Sequence, residues 1–269
     1  DSLHALHGSF GVTHPLLERL GARAGIELRA SRPVTGVPSL EDLKQRDHKK
    51  LAVVDGSLAL VGGRNLSHEY YTGFGEMALH EQSMWREVPW LDSGAHIEGP
   101  AVSAIEETFR EGWLDAGGSS FDIPEARPQG TTAVRVVVHR GLSDARTLDA
   151  YLALIDTAAS HVYAVNGFPL ILEIQHALLR ALRRGVRVKT LFGHLTPTHG
   201  GQPFGGPWSS ARTAATELVH SRMDALVAAG GEAYELVVRE QARWAASLGS
   251  VSPHVHAKVM SVDGRACAV

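Results

Sequence analysis

A short cassette occurs twice in this chain, and the duplication limits the possible folds more than any figure of composition. The first copy, Arg46-Asp-His-Lys-Lys-Leu-Ala-Val-Val-Asp-Gly, sets His48, Lys50 and Asp55 in the pattern H-x-K-x4-D, and Gly62-Gly63-Arg64-Asn65 follows it. The second, His256-Ala-Lys-Val-Met-Ser-Val-Asp-Gly, repeats the pattern with His256, Lys258 and Asp263. His48 and His256, Lys50 and Lys258, and Asp55 and Asp263 are each 208 positions apart. A short apolar run, an Asp-Gly pair and a second apolar run predict a β-hairpin. In the first copy the strands are expected at 50–54 and 58–61.

The repeat extends upstream. Residues 16–28 carry helical periodicity, a glycine stop at Gly25 and a short apolar run, and residues 221–234 have the same form with Gly231 as the stop. The slip from 208 to 206 between Gly25 and Gly231 is one small loop indel. Two halves of one ancestral unit are the economical reading.

Residues two apart on a strand share a face, which turns each histidine and its lysine the same way. An imidazole beside an ammonium suits a phosphate: the lysine neutralises non-bridging oxygens, and the histidine attacks or donates a proton. Asp55 lies at an odd offset from Lys50 and at the turn, so position alone assigns it to fixing the hairpin. Gly62 and Gly63 allow close backbone approach. Asn65 offers an amide to a phosphoryl oxygen or to a neighbouring side chain.

With both cassettes placed, the chain resembles the phospholipase D superfamily, whose signature is H-x-K-x4-D twice per active site, and within it the bacterial cardiolipin synthase-like members. Residues 46–56, Val61-Gly-Gly-Arg-Asn65, the block from Trp90 to Val102 and residues 257–264 carry the resemblance. Arg64 stands where an apolar residue is usual, and Asn166-Gly167-Phe168 replaces a more usual Asn-Pro-Tyr. The resemblance implies an α/β fold of two pseudo-symmetric halves, each a mixed sheet flanked by helices, with the active site between them. It implies a catalytic set of His48, Lys50, Asp55, His256, Lys258 and Asp263. Gly63 and Asn65 would bind phosphate, and Asp92 would orient a histidine for the first half, with Glu98 as the fallback.

The expected organisation is a first half over residues 1–116, a Gly-, Ser- and Pro-rich linker over 117–130, and a second half over 131–269. The second copy stops at the counterpart of Val61, and the first half lacks room for the helix–strand block that precedes the second cassette. The expectation is a piece of a longer protein, cut inside both halves. Strands are expected at 94–100, 134–138, 162–165 and 186–192, and helices at 101–113, 147–159 and 170–184. The irregular stretches 72–90 and 196–210, with Phe74, Met77, Trp85, Trp90, Phe204 and Trp208, read as packing under long loops or as a lip and lid at the pocket.

A formal charge of −3 argues against a general nucleic-acid coat. A single cysteine, Cys267, excludes an internal disulfide. His254-x-His256 has ligand-like spacing, but a lysine two residues after each motif histidine would repel a metal, so no metal and no cofactor is expected. The substrate implied is a phospholipid or another phosphodiester, cleaved through a phosphohistidine and passed to water or an alcohol. The likeness makes His48 the nucleophile and His256 the acid, a choice the repeat symmetry alone does not make. A membrane surface, on its cytoplasmic side, is the expected partner and location, with no spanning segment in the chain. A nuclease-type phosphodiesterase and a non-catalytic binding member are the alternatives.

Overall fold

A computed structural model describes residues 15–31, 39, 47–66, 70–71, 90–140, 144–166, 171–193, 208–236 and 254–269. The protein is α/β, with sheets flanked by helices. It divides into two compact units, residues 1–61 with 96–147 and residues 62–95 with 148–269.

In the first unit, helix α1 (Pro15–Gly21) precedes strands β1 (Leu51–Val54) and β2 (Leu58–Gly62). These pair antiparallel with Leu51 opposite Val61 and Val54 opposite Leu58. Strand β4 (Gly94–Glu98) joins β2 to complete a three-stranded sheet, and the two-residue β3 (Trp90–Leu91) lies outside it. Helix α2 (Ala101–Asp115) buries Val102, Ile105 and Thr108, three residues apart along one stripe. Val102 and Ile105 cluster with Ala59 and Ala126, and Leu51, Val53, Val61, Ile97 and Val136 pack at the edge.

Three expectations change here. The ladder starts at Leu51 rather than at residue 50, because Leu51 is the first residue facing a β2 partner. The apolar residues after Gly25 form no strand: Ile26 and Leu28 are exposed, and no ladder forms there among the described residues. Residues 134–138 likewise carry no ladder, although Val136 packs against the core. The Gly- and Pro-rich stretch 117–130 lacks regular structure, as its composition indicates, yet it is seated along α2. The Ser103 hydroxyl donates to the Pro124 carbonyl (3.2 Å) and accepts from the Ala126 N–H (3.3 Å).

The second unit holds a mixed five-stranded sheet in the order β10-β9-β5-β6-β7. Helix α3 (Arg146–Thr157) leads into β5 (His161–Asn166), α4 (Leu172–Arg183) into β6 (Arg187–Gly193), and α5 (Trp208–Ala228) into β7 (Glu232–Leu236). The β5–β6 and β6–β7 pairs are parallel, as a crossover helix between strands requires. Strand β9 (Lys258–Val262) pairs antiparallel with β5, and β10 (Ala266–Ala268) closes the hairpin. One face of the sheet presents Val162, Val188, Phe192, Met260 and Val262 to Ile155, Leu178, Val219, Met223 and Leu226 of the helices. This is the larger of the two described cores. The glycine that takes the left-handed conformation after α5 is Gly230 (φ 93°), not Gly231; Gly231 instead returns its N–H to Leu226 in a C-terminal cap.

The two hairpins share one register. Ala52 faces Leu60 where Met260 faces Ala268, and Val54 faces Leu58 where Val262 faces Ala266. Both turns are Asp-Gly with positive φ at both residues, 52° and 60° in the first, 55° and 65° in the second. That conformation belongs to the two-residue turn whose twist suits paired strands, and Asp-Gly adopts it readily.

Asp263 does more than turn the chain. Its carboxylate accepts the N–H groups of Ala159 (2.9 Å), Ser160 (2.8 Å) and His161 (2.8 Å), tying the β9–β10 turn to the start of β5. Those three donors hold its pKa down at about 2. A depressed carboxylate adds stability that is present above the ordinary value of 3.8 and is lost as the pH falls through about 2. Denaturant unfolding should therefore find Asp263→Asn less stable than wild type at neutral pH, with the gap closing in strong acid. A gap that persists unchanged at the acid end would show that the carboxylate charge is not the cause.

Candidate active site

The site is built where three short segments of the second unit meet. Strand β3 pairs in parallel with β8 (His254–Val255), Trp90 opposite His254 and Leu91 opposite Val255. Past the end of this ladder the Leu91 carbonyl accepts the N–H groups of His256 (2.8 Å) and Ala257 (3.1 Å). This brings Asp92 alongside His256. The Asp92 Oδ2 lies 2.8 Å from His256 Nδ1, and the Asp92 side chain is fully shielded from solvent while His256 keeps 19% of its surface.

Burial pushes the Asp92 carboxyl up. Hydrogen bonds from His256 and from the Ser93 N–H (2.7 Å), with the charges of His256 and Lys258, outweigh it and leave the group below its usual value. An ionised carboxylate can only accept, so Nδ1 of His256 carries the proton. The tautomer so fixed directs Nε2 to proton exchange with a ligand.

The lysine of each cassette turns back on its own histidine. Lys50 Nζ donates to the His48 carbonyl at 2.9 Å, and Lys258 Nζ donates to the His256 carbonyl. Burial lowers the Lys258 ammonium below its ordinary value, and the nearby Asp92 carboxylate opposes that shift. A partly desolvated ammonium gains more from a second anion than a fully hydrated one does. His48 and Lys50 stand just before β1 in the first unit, His48 exposed and Lys50 half-buried. Lys258 opens β9, whereas Lys50 stands one residue before β1.

The glycine pair of Gly62-Gly63-Arg64-Asn65 is explained by the close approach of the Asp92–Ser93 segment. A Cβ on Gly63 would sit 2.5 Å from Asp92 Oδ1 and 2.7 Å from Oδ2, and one on Gly62 would sit 2.6 Å from the Ser93 carbonyl oxygen. The close approach foreseen at Gly63 is made to Asp92. Arg64 donates to the Asp92 carbonyl at 3.3 Å, which gives this cation a structural task. Asn65 gives an amide N–H to the Tyr70 hydroxyl at 3.1 Å.

Both motif aspartates occupy turns; Asp55 is exposed at the first, and Asp263 holds backbone as described. Glu98 bonds to Gln129 and lies 3.3 Å from His96 within the first unit. Trp90, read from the sequence as loop packing or a pocket lip, and Tyr70, which sequence reasoning did not single out, complete the surroundings of His256. The ring centroids of Trp90 and Tyr70 lie 5.3 Å and 5.5 Å from its own, and 4.8 Å from each other. The available signal was the position of Trp90, two residues before Asp92. Phe74, Met77, Trp85, Phe204, His194 and His199 lie outside the described residues.

An α/β chain carrying the histidine–lysine hairpin twice has the features of the phospholipase D class. No family model matches the chain. Curated relatives do: it is 30% identical over 190 residues to the cardiolipin synthase A of Pseudomonas aeruginosa, covering 68% of this chain and 36% of that one. It is 27% identical over 188 residues to cardiolipin synthase A of Pseudomonas fluorescens (68% and 37%) and 27% identical over 171 residues to that of Pseudomonas putida (62% and 34%). The matched region is thus little more than a third of these relatives' length. The chain is a cardiolipin synthase-like member of the phospholipase D superfamily.

Gly63→Ala should displace the Asp92 carboxylate and break its bond to His256 without unfolding the protein. Proton NMR should lose a downfield Nδ1–H signal that His256→Gln also abolishes, while thermal unfolding stays cooperative. Retention of that signal in Gly63→Ala would mean the contact relaxes elsewhere.

Proposed function

We propose that the protein is a phosphodiester hydrolase or phosphatidyl transferase that acts on phospholipids through a phosphohistidine intermediate. The Asp92–His256 pair is the observation that best supports this reading: a buried carboxylate fixes the tautomer of an imidazole whose sequence partner, Lys258, is a half-buried ammonium bonded to the His256 carbonyl. The similarity to cardiolipin synthases points the same way for the substrate class.

In the proposed cycle Nε2 of His48, neutral, attacks phosphorus. The bond from phosphorus to the leaving alkoxide breaks, and His256, protonated at both nitrogens, delivers its Nε2 proton to that oxygen. Water or an alcohol then gives a proton back to His256 Nε2 and attacks phosphorus, and the P–N bond to His48 breaks. Asp92 remains ionised throughout and holds Nδ1–H of His256, the orienting role of a third group in a triad. Lys50 and Lys258 neutralise the non-bridging oxygens, which carry the most charge in the pentacoordinate state. Among the described residues no helix is long and apolar enough to cross a membrane. In this proposal the protein meets its lipid at a membrane surface, on the cytoplasmic side.

Two outcomes test the cycle in the full-length protein. His48→Asn and His256→Asn should each lower phospholipid turnover by at least about a thousandfold, since neither half-reaction proceeds without both rings. Near-normal rates in either variant would defeat the assignment. The turnover rate should also be bell-shaped in pH, because one imidazole must be neutral and the other charged, and the two titrations belong to the pair. A rate still rising at about pH 9 would contradict this.

A further inference from the structure

We infer that Asn65, Tyr70 and Trp90 are positioning residues for His256: the two rings bracket the imidazole, and Asn65 acts through the Tyr70 hydroxyl. This rests on the proposed use of His256 as a proton donor, but its geometry stands by itself.

A hydrogen bond to Nδ1 sets the tautomer and holds one edge of the imidazole, and packing against the ring limits the tilt that remains. Trp90 lies 5.3 Å from the His256 ring at an interplanar angle of 39°, and Tyr70 meets it edge-to-face at 5.5 Å and 84°. Two contacts in different planes limit the tilt that one bond leaves open, and aromatic pairs at such separations favour tilted and T-shaped arrangements. Tyr70 in turn is 5% exposed, and a tyrosine buried to that degree needs a partner for its hydroxyl. Asn65 supplies one, its amide donating to that oxygen at 3.1 Å. Trp90 is placed by the β3–β8 ladder, which also sets the backbone of His256. Among the described residues Asp92 bonds the imidazole and Lys258 bonds the His256 carbonyl; Tyr70 and Trp90 carry no charge, so they act on orientation.

The test is a double-mutant cycle with one structural readout. Tyr70→Phe keeps the ring and removes the hydroxyl, while Asn65→Ala removes the amide. Each should lower kcat about fivefold with KM nearly unchanged, the size expected for one uncharged hydrogen bond, and the double variant should lose the same factor rather than its square. Trp90→Leu should lose more, with Trp90→Phe restoring part of it. Multiplicative losses, or a far larger effect of Asn65→Ala that appears in KM, would overturn the inference and return Asn65 to direct contact with substrate.

Independently of turnover, nitrogen-15 NMR of the His256 ring should show one Nδ1-protonated form in wild type and exchange broadening in Trp90→Leu. Equally sharp, unshifted signals in both would overturn the bracket. If turnover is absent in wild type, the proposed reaction fails, and the ring signals alone decide the inference.

Discussion

One hydrogen bond, from His256 Nδ1 to the shielded carboxylate of Asp92, is the interaction around which the neighbouring residues are arranged. Desolvation pushes that carboxylate toward its protonated form, and a protonated carboxyl would no longer dictate the imidazole tautomer. The Ser93 N–H and the nearby cationic groups keep it ionised. The same carboxylate leaves no space for a side chain at position 63, and its own backbone carbonyl receives Arg64. Several unusual choices in the sequence thus trace to one buried charge that must stay charged.

The duplicated hairpin is the second constraint. Its turns are identical in residue type and in the sign of φ, and its strands pair in the same register in both copies. A one-residue slip in either would exchange the faces of the strand and misplace the lysine. In the second copy Asp263 adds three backbone contacts that lock the hairpin to β5. The aspartate of the second motif therefore secures the platform on which its histidine and lysine stand.

Much of this was legible in the residues. Short apolar runs located β1, β2, β5 and β6, because such runs differ in length and period from amphipathic helices. Glycine stops marked the ends of α4 and α5 to within a residue. The apolar runs at 26–28 and 134–138 misled, because a strand is defined by a partner and periodicity cannot show whether one is adjacent. Asp92 was found by likeness to a family, but its pairing with His256, 164 positions away, depends on a two-residue parallel ladder too short to leave a pattern. Tyr70 was hidden, and Trp90 left between packing and a pocket lip, for a related reason. Aromatic residues in an irregular stretch look alike whether they fill a core or flank a reacting ring, and only the ladder distinguishes them.

The proposed cycle depends most on His256, held in this way, acting with His48 on one phosphorus. Its most direct measurement is rapid acid-free quenching of the full-length protein with a labelled phospholipid, followed by peptide mass spectrometry. A phosphatidyl group carried on His48, stable to base and labile to acid, is the expected result. Label confined to another residue type, or turnover with no covalent adduct at any time, would contradict it.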